Sequence, residues 1–135
     1  MTLAIIRTRA GLGLEAPEVL VEVHLTNGLP GITLVGLPET AVKESRERVR
    51  SALVNAGFEF PLRRITLNLA PADLPKDGGR FDLPIALGLL VASGQIPPEA
   101  LAEVECVGEL ALDGGLRPAS GCYRWPWPRG KRGGA

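Results

Sequence analysis

APADLPKDGGRFDLPIALGLL, residues Ala70 to Leu90, is the stretch whose reading decides the fold. A Pro- and Gly-rich loop leaves an apolar strand and runs straight into an apolar helix. Before it, Ile65, Leu67 and Leu69 alternate with Thr66 and Asn68, the period of two expected of a half-buried strand. After it, Leu83 to Ala92 is apolar on nearly every side, which predicts a buried helix starting at Asp82 or just before it. Loops this rich in Gly and Pro commonly place backbone groups for a task. This one carries Asp73, Lys76, Asp77, Arg80 and Asp82, and no Ser, Thr, Cys or His. Charge is available, and an ordinary nucleophile is not.

Upstream, Leu3–Arg9 and Val19–Thr26 read as two strands, Glu15-Ala16-Pro17 connecting them, and Ile32–Val35 as a short third. Asn27-Gly28 between the second and third is a favoured hairpin pair. Gly36-Leu37-Pro38 opens the first helix, with Pro38 near its first position. Val42, Ser45, Val49, Ala52, Leu53 and Ala56 share one face of it, and Lys43, Glu44, Arg46, Glu47, Arg48 and Arg50 fill the others. Gly57 suits the C-terminal cap. Downstream, Gly94 to Pro98 ends the second helix and Val104–Leu112 reads as a strand. Asp113-Gly114-Gly115 then turns into a hairpin partner beginning at Leu116. Three strands, helix, strand, helix and hairpin predict an α+β fold: two layers, with both helices on one face of a mixed sheet.

A chain of 135 residues, 45% apolar and 22% charged, suits one soluble core. No apolar run is long enough to span a bilayer. The N-terminus places its apolar patch before its arginines, the reverse of a secretory signal, so the expected location is cytoplasmic. Cys106 and Cys122 make no disulfide framework. All 15 acidic residues but only 11 of the 15 basic ones lie in residues 1–121, a net −4, so the last 14 residues carry +4. Those residues, CYRWPWPRGKRGGA, hold both tryptophans and the only tyrosine. The composition breaks there, which divides the chain into a domain at 1–121 and an atypical, disordered or frameshifted tail at 122–135. The competing reading is a basic-aromatic tail that stacks on bases.

TLVGLPETAVKESRERVRSALVNAGFEFP, ITLNLAPADLPKDGGRFDLPIAL and VGELALDGGLRP follow one another in the order seen in the ComM/YifB family of magnesium-chelatase-like AAA+ proteins. From Thr2 to about Gly121 the chain resembles that family's N-terminal domain. The resemblance implies a Lon-protease-like fold, shared with the second domain of a small-subunit ribosomal protein. It also implies a hexameric motor acting on DNA, with a role in branch migration during natural transformation. ATP and Mg²⁺ belong there to an AAA+ module that follows this domain, so no cofactor is expected here. No segment of this chain fits GxxxxGK[ST]. Lon-type peptidases carry a Ser–Lys dyad with the serine in PKDGPSAG. Set on Pro75-Lys76-Asp77-Gly78, that serine falls on Arg80 and the dyad lysine on Tyr123. Arginine stays protonated and cannot attack, so a degenerate peptidase is the weakest alternative.

One histidine and two cysteines cannot build a four-ligand zinc site. Asp73, Asp77 and Asp82 could hold Mg²⁺ if they converged, but the preferred reading has them shape the loop and cap the second helix. Lys43, Arg46 and Arg50 recur at helical spacing, Arg63-Arg64 precedes a strand, and Lys76 and Arg80 sit on the loop. Together they are candidates for phosphate contact. Against this, Glu39–Lys43 and Glu44–Arg48 have the spacing of self-paired, solvated charges. The reading is therefore a non-catalytic accessory domain giving subunit packing and DNA contact through Lys43, Arg46, Arg50, Lys76 and Arg80, with a purely structural fragment of a truncated gene product as the alternative. His24 reads as a polar strand position and Cys106 as core.

Overall fold

β1 (Leu3–Arg9), β2 (Glu18–Thr26) and β4 (Arg64–Ala70) each alternate apolar and polar residues, and the alternation turns one side of all three to the core. The register makes that side continuous: Ile6 lies opposite Val21, Val21 opposite Leu69, and Val23 opposite Leu67. The computed structural model describes residues 3–9, 18–36, 39–70, 81–101, 104–108, 110–115 and 121–124. The connector at 15–17, Pro38, the loop at 71–80 and the Trp-Pro segment lie outside them. β3 (Gly31–Val35), β5 (Val104–Val107) and β6 (Gly121–Arg124) complete a mixed sheet of order β3-β4-β2-β1-β5-β6.

Two helices cover the apolar side. α1 (Glu39–Asn55) contributes Val49, Ala52 and Leu53 to the core, and α2 (Asp82–Ala92) contributes Ile85, Ala86, Leu89, Leu90, Val91 and Ala92. Nine of α2's residues are buried, as its all-round apolar sequence predicts. Gly88 lets it sit close to the sheet, since a Cβ there would fall 2.5 Å from Val23 Cγ2. α1 ends as Gly57 predicts: at φ +94° its N–H donates to Val54 O, while Phe58 N–H donates to Leu53 O. The opposite face of the sheet carries exposed Leu3, Ile5, Val35 and His24, with Arg7 paired to Glu18 at 3.3 Å and Asn68 donating to Glu22 at 2.8 Å. Both helices thus lie on one face of an α+β, two-layer mixed sheet.

Three local expectations fail, each for a visible reason. Asn27-Gly28 does not close a β2–β3 hairpin, because β4 lies between those strands and pairs parallel with β3. The β2–β4 ladder runs the full length of β4, and α1 supplies the crossover that parallel β3–β4 pairing needs. The strand expected over 104–112 stops at Val107. There Gly108 O turns to accept Leu83 N–H at 2.9 Å, and Leu110 N–H leaves the ladder for the Asp82 carboxylate at 3.1 Å. Finally, Cys122, Tyr123 and Arg124 lie in β6, antiparallel to β5 with Cys122 opposite Cys106, so the sheet continues three residues past the expected boundary at 121.

Candidate functional site

Arg46 and Arg50 stand one turn apart on α1, at the spacing that puts side chains on one face. Beside them runs the segment that returns from α1 to β4. Its residues Phe60, Pro61, Leu62 and Arg63 face α1 across a cleft of about 310 Å³, floored by Ile32 and Ile65 and bordered by Pro30 and Gly31. Glu47 lines the same cleft, so its charged residues sum to +2. Arg46, Arg50 and Arg63 have no carboxylate within ion-pair distance among the described residues. Leu62 is 81% exposed at the rim. Cationic walls, an apolar floor and a phenylalanine make the cleft suited to an anion that also carries an apolar or planar part.

Gln95 positions the wall. Its side-chain amide accepts from Glu59 N–H at 2.9 Å and donates to Glu59 O at 2.8 Å, pinning the start of the 59–63 segment to the end of α2. Gln95 itself is held by its own N–H to Leu90 O at 2.8 Å. The sequence reading singles out neither Gln95 nor Phe60. A lone glutamine in a turn carries no motif, and Phe60 looks like ordinary core until its neighbours are known.

The expected basic set divides. Arg46 and Arg50 are brought together, and Arg63 joins them from the β4 side. Lys43 is exposed on α1 but does not line the cleft. Lys76 and Arg80 lie outside the described residues, as do Asp73 and Asp77.

Asp82 lies in the first turn of α2, where its charge complements the helix's N-terminal end, and only the capping half of its expected role is corrected. It does not cap α2: the residue at the cap is Phe81, with no side-chain cap bond. The Asp82 carboxylate, fully buried, instead accepts from Ser45 Oγ at 2.7 Å, Arg48 Nε at 2.5 Å, Arg48 Nη2 at 3.3 Å and Leu110 N–H at 3.1 Å. Arg48, read as an exposed partner of Glu44, is half-buried and ties α1 to α2. Burial pushes the Asp82 carboxyl above its ordinary 3.8, opposed by its bonds from Arg48, Ser45 and Leu110. This cluster places a hydroxyl at the corner where α2 begins, yet it is no nucleophilic site. Ser45 is 1% exposed, and the carboxylate it donates to is already occupied by a guanidinium and a backbone N–H. It is a three-way clamp of α1, α2 and the segment after β5.

Among the described residues no three His, Cys, Asp or Glu side chains form a metal-sized group, and no helix is long and apolar enough to cross a membrane.

The family profile described as "Subunit ChlI of Mg-chelatase" matches residues 21–126. The chain is 63% identical over 121 residues to the "Uncharacterized protein YifB" of Salmonella typhimurium, and 62% identical over 121 residues to the "Competence protein ComM" of Haemophilus influenzae. Each match covers 90% of this chain and 24% of the relative, so the chain spans about a quarter of the length of the curated relatives it matches. It is also 47% identical over 109 residues to "Uncharacterized protein Rv2897c" of Mycobacterium tuberculosis. With the profile covering most of the fold and such identities across it, the chain belongs to the Mg-chelatase ChlI family as an N-terminal domain of the ComM/YifB type.

Proposed function

We propose that this chain is a non-catalytic accessory domain of a ComM-like, DNA-processing AAA+ ATPase, and that it contacts nucleic-acid phosphates through the cleft between α1 and the 59–63 segment. The observation that carries the reading is the set Arg46, Arg50 and Arg63 lining one cleft without acidic partners among the described residues. Arginines on a fixed helix and a pinned loop, with no carboxylate partner among the described residues, bind phosphate through charge and forked hydrogen bonds. The relationship to a competence protein supports DNA as the source of that phosphate. In this proposal the Lon-protease-like arrangement serves as scaffold, and the whole protein is a cytoplasmic hexamer that binds ATP and Mg²⁺ outside this domain. Its role there is branch migration during natural transformation, with Lys43, Lys76 and Arg80 extending the basic surface.

Fluorescence anisotropy of a labelled oligonucleotide, titrated with the 135-residue chain at low and at physiological salt, tests the phosphate contact. Binding should weaken as salt rises, with a log–log slope of about −2 for three contacts. The paired substitution Arg46→Ala, Arg50→Ala should flatten that slope. Binding that ignores both salt and the two substitutions would remove the proposal.

A further inference from the structure

The cleft has a second property that phosphate contact alone leaves unused: it is concave and apolar at its base. Duplex DNA presents phosphates on a convex outer surface and keeps its base faces stacked inside. A flat basic patch serves that shape. Here the arginines instead rim a cavity of about 310 Å³ floored by Ile32 and Ile65, with Phe60 on its wall. Leu62, 81% exposed, stands at its mouth. A base can reach such a floor only if it is unpaired and unstacked.

We propose that the cleft binds single-stranded nucleic acid. One unpaired base enters against Phe60 and Leu62, and the flanking phosphates rest on Arg46, Arg50 and Arg63. This rests on the phosphate reading above and adds to it the kind of strand. Stacking on an aromatic face tolerates any base, which suits a domain that meets arbitrary sequence. Glu47 stands on α1 between Arg46 and Arg50 and offsets part of their charge, so it opposes phosphate at that wall and limits the affinity.

The test compares a labelled oligothymidine with a duplex of equal length against the 135-residue chain, by anisotropy at one salt concentration. The single strand should bind roughly tenfold or more tighter. Leu62→Ser changes an exposed side chain, so it leaves the fold intact and should weaken the single strand several-fold while leaving the duplex unchanged. Phe60→Leu keeps the packing against the core and should cost roughly tenfold on the single strand alone. Leu62→Trp and Glu47→Gln should each strengthen single-strand binding, a gain that no unfolded variant can imitate. Equal affinity for strand and duplex, unmoved by Leu62→Ser and Leu62→Trp, overturns the single-strand proposal and leaves phosphate contact standing. Binding of neither overturns both. Displacement of the oligonucleotide by polyglutamate as readily as by unlabelled oligothymidine, with no effect of Leu62→Trp, also overturns the proposal and points to an acidic protein surface.

Discussion

Replacing Asp82 by Ala removes the acceptor for four donor groups at one stroke: Ser45 Oγ, two nitrogens of Arg48 and Leu110 N–H. Breaking a buried pair by deleting one partner costs about 3–5 kcal/mol, because the other partner loses its buried counter-charge. The Arg48 side chain is 19% exposed and keeps some access to water, which places this case near the lower end, about 3 kcal/mol. With a urea m-value of about 2 kcal/mol/M, the unfolding midpoint should fall by roughly 1.5 M at unchanged m. The same reasoning predicts a rescue. In the variant Ser45→Ala, Arg48→Met, Asp82→Leu the three clamp side chains are all apolar, so much of the lost stability should return. The double-mutant cycle of Asp82→Ala with Arg48→Met should give a coupling of about 1–3 kcal/mol. An Asp82→Ala protein within 1 kcal/mol of the parent in urea would refute the clamp.

The remaining predictions concern pH, packing and the cleft wall. Because burial raises the folded-state titration of Asp82 above 3.8, the folded protein holds that proton more tightly than the unfolded chain. The contribution is fully present below 3.8 and fades as pH rises through the raised value, so the stability of the parent relative to Asp82→Asn should improve on acidification; the opposite trend in parallel urea titrations would show that the Arg48 pairing outweighs burial. Gly88→Ala forces a methyl to within 2.5 Å of Val23 Cγ2, a stiff β-branched side chain with no exposure, and should lower stability by about 1–3 kcal/mol in thermal unfolding. Gln95→Ala frees both bonds to Glu59, should cost about 1 kcal/mol by urea unfolding, and should weaken oligonucleotide binding without touching the ligand.

Much of the fold is legible in the sequence because its signals are local and periodic. The alternation of Val19, Val21 and Val23, the all-round apolar run from Leu83 to Ala92 and the glycine at 57 each report their own burial or backbone angle. What is not legible is pairing at a distance. Asn27-Gly28 announces a hairpin in any local reading, and only the competing ladder between β2 and β4 moves β3 to the sheet edge. Asp82 looks like a helix cap because it sits where caps sit; its true partners, Ser45, Arg48 and Leu110, are 37, 34 and 28 residues away. The cleft is half-legible for the same reason. The α1 spacing gives Arg46 and Arg50, but nothing local says that Phe60 and Arg63 return to face them. Glu44, four residues before Arg48, suggests a solvated ion pair, whereas the fold turns that arginine inward to Asp82.

The most direct measurement of the central claim is a map of where nucleic acid touches the domain. Amide chemical shifts of the isotopically labelled 135-residue chain, followed during titration with oligothymidine, should move together at Arg46, Glu47, Arg50, Phe60, Leu62 and Arg63. Shifts confined instead to the open sheet face around Ile5, His24 and Thr66, or spread evenly over the surface, would contradict it.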